Sequence, residues 1–548
     1  MSKRDEKFNI LLGTNEITVK VSNLETAHAV AKEILETPGI AEKIKKIYIV
    51  TNDDDEEEDK DGQGAEPGVK ADNTTTDEKA NQTASTQASS KENPKAFLTT
   101  EQRLIARTQA CEQGARLADR LCEPLCQIFN SSVNLKRFSW SASYCAGTSF
   151  TRPQTFWDAL YAHSQTLEGL HLDYFEHEVR QLTDPKTIFP NLKTLKLNTV
   201  SAHGDDGTAI DALLNSCPNL STLDFTWPGC DLDDCQIQNI TWSYTYPSLT
   251  NLSLSGWNFA PKPLADFLMR HPSITTFADG IDFQLNDPGS EPIQFDANAL
   301  PALEALYKSN GPLSSVLPYF DPAARRQIQH LALYVGMGGG SVLSELATLP
   351  AATSTIKTLE MHGNITDWRL PEDEDSSDSD SDVATDEAKE PYVPPPSMPS
   401  LLTSTLPHFT HLQELAIGME SDHIMHRRKD GVFGCPDPTT PEDLRYVLGH
   451  LPSTTTIRAL RVRDERAKTL PKEMLDEFAG VPESLEYFAW EGEERVLYRV
   501  LRGDGGVKCV VCDDNEEDIL LGRKMGGGWV VTEDSSGRRW SERRVLDY

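Results

Sequence analysis

The sequence predicts an α/β solenoid, a curved parallel sheet inside with helices outside, broken by two acidic insertions. Three observations carry that expectation. A six-residue template, apolar-x-x-apolar-x-apolar, recurs along nearly the whole chain. Its copies follow one another at a nearly constant interval. Patterns of helical periodicity fall in the gaps between them.

The clearest copy is Leu192, Leu195 and Leu197 in Phe189-Pro190-Asn191-Leu192-Lys193-Thr194-Leu195-Lys196-Leu197-Asn198, a turn running into a strand. Others are Leu135/Phe138/Trp140, Leu167/Leu170/Leu172, Leu220/Leu223/Phe225, Leu249/Leu252/Leu254, Ile328/Leu331/Leu333, Ile356/Leu359/Met361, Leu412/Leu415/Ile417, Ile457/Leu460/Val462 and Leu485/Phe488/Trp490. Ile274/Phe277 and Leu303/Leu306 are shorter copies. From Leu135 to Ile356 the first positions are separated by 32, 25, 28, 29, 25, 29, 25 and 28 residues, then by 56, 45 and 28. One copy proves nothing, because any amphipathic segment supplies it; a dozen near one period define a leucine-rich repeat. Side chains alternate along a strand, so Leu195 points inward and Lys196 outward, and a charge at 196 reads as harmless.

In chain order, residues 16–21 alternate as a strand, and 25–37 form a helix with Ala27, Val30, Ala31, Ile34 and Leu35 on one side. Ile44, Ile47 and Ile49 fit the template, so the solenoid starts within 1–51, before the first insertion. Residues 52–96 are acidic and then polar, with too little apolar surface to offset ordering entropy, and read as disordered. Repeats occupy 97–370, opening on a helical pattern over 99–129 in which Pro124 introduces a kink. Outer helices are expected at 154–164, 207–216, 262–270, 341–349, 441–451 and 472–479. A second disordered insertion, 371–399, holds Asp375-Ser376-Ser377-Asp378-Ser379-Asp380-Ser381-Asp382 and leaves through Pro394-Pro395-Pro396. Ser377 and Ser379 there each precede an acid by three residues, a pattern acidophilic kinases accept. Repeats resume over 400–494. Residues 495–548 are a β-rich cap, with strands about Gly503-Asp504-Gly505-Gly506 and a tail from Gly526 to Tyr548 closing the open end of the core.

The charge is 52 − 85 = −33, but Asp53–Asp61 and Glu372–Glu390 together carry 18 acids against 2 bases, about half the imbalance. A mildly acidic repeat region argues against nucleic acid, which requires a basic surface. The charged N-terminus is no secretory signal, no apolar run is long enough to span a membrane, and ten scattered cysteines suit a reducing compartment. These features place the protein inside the cell, in cytoplasm or nucleus.

The layout resembles the fungal F-box and leucine-rich-repeat family. The resemblance rests on the Pro-x-Leu entries Phe189-Pro190-Asn191-Leu192, Cys217-Pro218-Asn219-Leu220 and Tyr246-Pro247-Ser248-Leu249, on the acidic insertions, and on Glu486-Tyr487-Phe488-Ala489-Trp490 ahead of a short β-rich end. It implies repeats that hold a substrate and an N-terminal F-box that binds the adaptor of a ubiquitin ligase. Residues 1–40 hold no Leu-Pro-x-Glu-like helix start, and the helix at 25–37 resembles the segment after an F-box. Two readings follow, a ubiquitin-ligase substrate receptor or a stand-alone scaffold; an enzyme is a remote third.

No residue set poses a nucleophile with a base, and no cofactor is expected. Gly336-Met337-Gly338-Gly339-Gly340-Ser341 lacks the lysine of a phosphate-binding loop, and the repeat already explains it as a strand-to-helix turn. Cys509 and Cys512 have metal-like spacing without a second pair nearby; Cys122 and Cys126 share an apolar helix face; His423 and His426 read as loop. A binding surface is instead expected on the outward strand positions. His171, Lys196, Asp224, Ser253, Ala332, Glu360, Ala416, Arg461 and Ala489 form one row, and Asp173, Asn198, Thr226, Tyr334, His362, Arg463 and Glu491 the next. Mixed signs and small residues there suit a protein partner. Tyr, Trp and Arg anchors usually dominate such surfaces, so the expected contacts are Tyr334, Arg461 and Arg463, with His171, Lys196, Asp224 and Glu360 beside them. Limited proteolysis of the native protein is expected to cut first within 52–96 and 371–397, and early cuts within 200–340 would contradict these boundaries.

Overall fold

The structure, a computed structural model, describes residues 17–51 (less 22, 23 and 38), 120–142, 152–173, 188–198, 206–227, 240–257, 261–282, 296–308, 316–334 (less 325), 339–362, 401–418, 426–427, 433–434, 448–449, 451, 456–463, 481–491, 495–503 and 506–512. Strands β1 (Ile17–Val21), β2 (Ile44–Thr51), β3 (Arg137–Ala142), β4 (Gly169–Asp173), β5 (Thr194–Asn198), β6 (Thr222–Trp227), β7 (Asn251–Trp257), β8 (Thr276–Asp282), β9 (Ala305–Lys308), β10 (His330–Tyr334), β11 (Thr358–His362) and β12 (Glu414–Gly418) lie side by side in sequence order. A separate antiparallel pair, β13 (His426–Arg427) and β14 (Phe433–Gly434), interrupts the series. The sheet then resumes with β15 (Ala459–Arg463) and β16 (Tyr487–Glu491), both parallel, and ends in the antiparallel strands β17 (Arg495–Gly503) and β18 (Gly506–Val511). Among the described residues the result is one sheet of sixteen strands, the leucine-rich-repeat solenoid.

One hydrogen-bond device repeats at every step from β3 to β16. The carbonyl of the residue after the first apolar position accepts from two successive N–H groups of the next repeat. Lys193 O, for example, accepts from Ser221 N at 2.8 Å and Thr222 N at 3.0 Å. The same fork joins Lys136, Glu168, Lys193, Ser221, Thr250, Thr275, Glu304, Gln329, Lys357, Gln413 and Arg458 to the residues beginning the following strand. It crosses the second insertion unchanged, since Lys357 O receives Gln413 N at 2.7 Å and Glu414 N at 3.0 Å. It aligns each template with its neighbour, so the second and third apolar positions stack in register: Leu170, Leu195, Leu223 and Leu252 in one line, Leu172, Leu197, Phe225 and Leu254 in the next. All are essentially inaccessible, and each such side chain contributes about 1.5–3 kcal/mol on burial.

Helices cover this apolar face. Pro261–Arg270 starts on a proline, whose missing N–H is no loss in a first turn, and buries Leu264, Phe267 and Leu268. Gln154–Tyr161 buries Phe156, Trp157 and Leu160, and Asp206–Asn215 buries Ile210, Leu213 and Leu214. Helix Leu24–Glu36 lies between β1 and β2 as expected, and Gly339–Leu346 lies where 341–349 was expected. The helix over 120–131 runs through Pro124 without interruption. The helix expected at 472–479, residues 99–119, most of 441–451, both insertions and the tail beyond 512 lie outside the described residues.

The six-residue template misses a further buried line three positions before its first apolar residue. Phe189, Cys217, Tyr246, His271, Leu300 and Phe409 occupy it, all buried, where the chain turns into each strand. Burial raises the Cys217 thiol to about 12. His271 is held neutral there. Its Nε2 accepts from Tyr246 N–H at 2.8 Å, so Nδ1 carries the proton and donates to Phe267 O at 2.6 Å. Burial lowers its basicity accordingly. Nearby, residues 240–246 form neither helix nor strand where other repeats carry a helix, and they fill the space with Trp242, Tyr244 and Tyr246 against Phe267.

The two short copies have a physical explanation. Their third position is not apolar: register pairs Asp279 of β8 with Lys308 of β9, and Leu254 opposite Asp279 shows that both occupy the inward line. Lys308 Nζ meets Asp279 Oδ1 at 3.0 Å with side chains 1% and 5% exposed, and the Tyr319 hydroxyl donates to Asp279 Oδ2 at 3.2 Å. A buried arginine stitches the same region. Arg326 donates to Ala299 O at 2.8 Å, Asp296 O at 2.8 Å and Pro318 O at 3.0 Å, tying together the turns around it. Breaking a buried pair strands a charge, whereas replacing it by apolar residues does not. Asp279→Leu alone is therefore expected to cost about 3–5 kcal/mol in urea denaturation, and the triple variant Asp279→Leu, Lys308→Met, Tyr319→Phe to regain most of that loss.

Candidate functional site on the helix-free sheet face

Because the apolar lines face the helices, intervening residues project to the other side. Register joins Tyr48, Ser139, His171, Lys196, Asp224, Ser253, Ala278, Tyr307, Ala332, Glu360, Ala416, Arg461, Ala489 and Leu497 in a single row from β2 to β17. The row expected from sequence is thus one geometric line. Ala278 and Tyr307 belong to it as well, and were hidden because their copies of the template are incomplete. Tyr334 and Arg463 stand two residues further along β10 and β15, where the description reaches their backbones only; they pair with His362 and with Gly418 and Glu491.

The row divides into two stretches. Across β3–β6 it is a polar chain. The Ser139 hydroxyl and His171 Nδ1 lie 2.8 Å apart, and Lys196 Nζ stands 3.4 Å from Asp224 Oδ2. Ser139, His171 and Lys196 are half-buried, whereas Asp224 is 1% exposed. At 3.4 Å the ammonium gives an ion pair without a well-formed hydrogen bond to either carboxylate oxygen. Desolvation therefore raises the Asp224 carboxyl above its ordinary range, opposed by Lys196, the Ser253 hydroxyl and His171.

From β8 to β16 the face is closely packed. Ala278, Tyr307 and Ala332 form a small apolar cluster, and the Tyr307 ring lies 5.0 Å from the His330 ring. His330 Nε2 approaches Glu360 Oε1 at 3.4 Å, and the Thr358 hydroxyl approaches Glu414 at 3.4 Å. Glu360 is 2% and Arg461 4% exposed, so these two, read from sequence as exposed contacts, are largely buried side chains. The reason lies in the parallel ladder, where neighbours only 4.7–4.9 Å away on both sides wall in each side chain. His330, Thr358 and Glu414, in the adjoining row, escaped the sequence reading because they precede the second apolar position, where polar residues are unremarkable.

A third charge line follows the carbonyl forks at the strand entries. Glu168 receives Lys136 at 3.0 Å and Lys193 at 3.4 Å, which hold its carboxyl below the usual range, and Arg458 grips Glu486 with two bonds of 2.9 and 2.7 Å. These pairs are well exposed and contribute little, on the order of 0–1 kcal/mol each. Among the described residues no group of His, Cys, Asp or Glu is placed to hold a metal ion, and no helix is long and apolar enough to cross a membrane. Cys126 and Cys217 are free thiols, and Cys122 is packed in the core with Cys126 against it.

No protein-family model matches the chain, and no curated protein matches it. Among solved structures it is similar to the leucine-rich-repeat-containing protein LegL7 from Legionella pneumophila, at 13% identity over 66% of this chain and 98% of that one, with a TM-score of 0.32.

The ion pair corrects one expectation. A carboxylate at 196 is not harmless, because it would face the buried Asp224. Lys196→Asp is expected to cost roughly 2–4 kcal/mol, below the fully buried case because Lys196 is partly solvated. A carboxyl raised in the folded state favours folding below its unfolded pKa, and that contribution is lost as pH rises through the folded value. The stability difference between Asp224→Asn and the parent should therefore favour the variant near neutral pH and shrink on acidification, measured by denaturant titration at several pH values.

Proposed function

We propose that this protein is a non-catalytic recognition module that binds another protein on the helix-free sheet face. The observation supporting this reading is the unbroken outward row, which carries mixed charge, aromatic and small residues across consecutive repeats in one register. His171 and Lys196, backed by the buried Asp224, would form the polar end of the contact, and Tyr334 and Arg463 the other, above the buried Glu360 and Arg461. The half-buried stretch His171–Lys196 is the entry point, since the residues after it are walled in. The chain acts as one solenoid interrupted at 52–96 and 371–399 and closed by 495–548, working inside the cell, in cytoplasm or nucleus.

The resemblance to F-box and leucine-rich-repeat proteins adds a finer reading, a substrate receptor of a ubiquitin ligase. A stand-alone scaffold is the second reading. It is favoured by residues 17–51 themselves, which form strands β1 and β2 of the sheet with helix Leu24–Glu36 between them rather than a separate adaptor-binding unit. Affinity purification with mass spectrometry from the native host separates the two, because only the first brings down the ubiquitin-ligase adaptor. With the partner in hand, His171→Ala combined with Tyr334→Ala is expected to weaken binding by about tenfold or more at unchanged melting temperature. Undiminished binding by that variant, together with loss on deleting 371–397, would transfer the site to the acidic insertion.

A further inference from the structure

The sheet ends in a hairpin whose chemistry differs from the rest of the molecule. From Arg495 to Val511 the chain has four bases (Arg495, Arg499, Arg502, Lys508) and one acid (Asp504), a balance of 4 − 1 = +3 within a chain of net charge −33. The hairpin is anchored, because Arg502 donates to Leu485 O at 2.8 Å and to Pro482 O at 2.6 Å. Register sets Arg499 opposite Val510 and Leu501 opposite Lys508. Since Leu497 lies in the outward row, alternation puts these four side chains on the helix-free face, and all four are exposed, Leu501 at 44% and Val510 at 48%. Val511, on the opposite face, is 58% exposed.

β18 is the last strand of the sheet among the described residues, and no described strand pairs with its outer edge. Cys512 N–H donates inward to Leu497 O at 2.9 Å. In an antiparallel ladder that phase turns the N–H and C=O of Val507 and Val511 outward, away from β17. Proteins usually blunt such an edge with proline, a bulge or charge. Here the sequence Gly506-Val507-Lys508-Cys509-Val510-Val511 offers a single lysine and no proline.

We propose that the outer edge of β18 takes up an extended segment of a partner protein, in which acidic and apolar residues alternate, as an added strand. Alternation along the incoming strand would place its acids on the face of Lys508 and Arg499 and its apolar side chains on the face of Val511. A second copy of this chain is disfavoured as occupant, because edge-to-edge pairing would bring the basic residues of two hairpins together. The chain's own acidic runs, 53–61, 372–390 and 513–518, lack the alternating apolar residues. This edge is separate from the His171–Lys196 stretch, so either proposal can fail without the other.

The test uses the full chain and a fluorescein-labelled octapeptide of alternating Glu and Val, with a Lys–Val peptide as control, read by fluorescence anisotropy. The Glu–Val peptide should bind, and the control should bind at least about tenfold more weakly. Val511→Pro removes an outward donor without touching a β17–β18 bond, and it should weaken binding by about tenfold or more with the circular-dichroism melt unchanged. Lys508→Glu, which leaves the edge backbone intact, should reverse the preference between the two peptides. His171→Ala should leave peptide binding unaltered. Equal binding of both peptides, binding indifferent to Val511→Pro and Lys508→Glu, or no binding at all would overturn the proposal. So would concentration-dependent self-association abolished by Val511→Pro, which would make a second copy the occupant.

Discussion

The forked carbonyl at each strand entry is the constraint on which the rest of this molecule depends. It demands that one backbone oxygen in each repeat reach two successive amides of the next, and nothing else about the repeat is fixed as tightly. Between forks the chain is free to travel 25 residues or 56, to form a helix or an irregular aromatic segment, or to carry an acidic run. Because the fork sets the register, it also decides which residues stack inward and which line up on the other face. The apolar lines and the candidate binding row are two consequences of a single main-chain geometry.

That explains how far the sequence could be read. Leu192, Leu195 and Leu197 announce their own burial because the period of two within a strand and the longer period between strands are both written in side-chain identity. The outer helices at 154, 207 and 262 were legible for the same reason. What could not be read depends on neighbours distant in sequence. Asp279 and Lys308 each look like a degraded repeat alone, and only their pairing across adjacent strands reveals a matched replacement. The buried turn positions held by Phe189, Cys217, Tyr246 and His271 share a role but no side-chain chemistry, so no letter pattern exposes them.

The candidate site shows the same division. Membership of the row followed from alternation, and the structure strings His171, Lys196, Asp224, Glu360 and Arg461 along one line. Their environments did not follow. Lys196 reads as a free surface cation until the next strand supplies Asp224, and Arg461 reads as an anchor until its burial is known. A polar residue on a sheet face is thus defined less by its own strand than by the strands beside it. Under the proposed reading a partner would meet side chains still in contact with water along the half-buried stretch from Ser139 to Lys196, whereas the hairpin at the far end would offer main-chain groups.

The Asp279–Lys308 pair gives the array an address. Leucine lines are interchangeable, so an array of near-identical units can in principle slip by one unit, or exchange a unit with another molecule, and still stack apolar on apolar. A slip at this place would set Asp279 or Lys308 against a leucine with no opposite charge in reach. The pair is also difficult to lose by gradual change, because either single substitution passes through an orphaned charge. A repetitive chain thereby retains one landmark from which every other repeat can be counted.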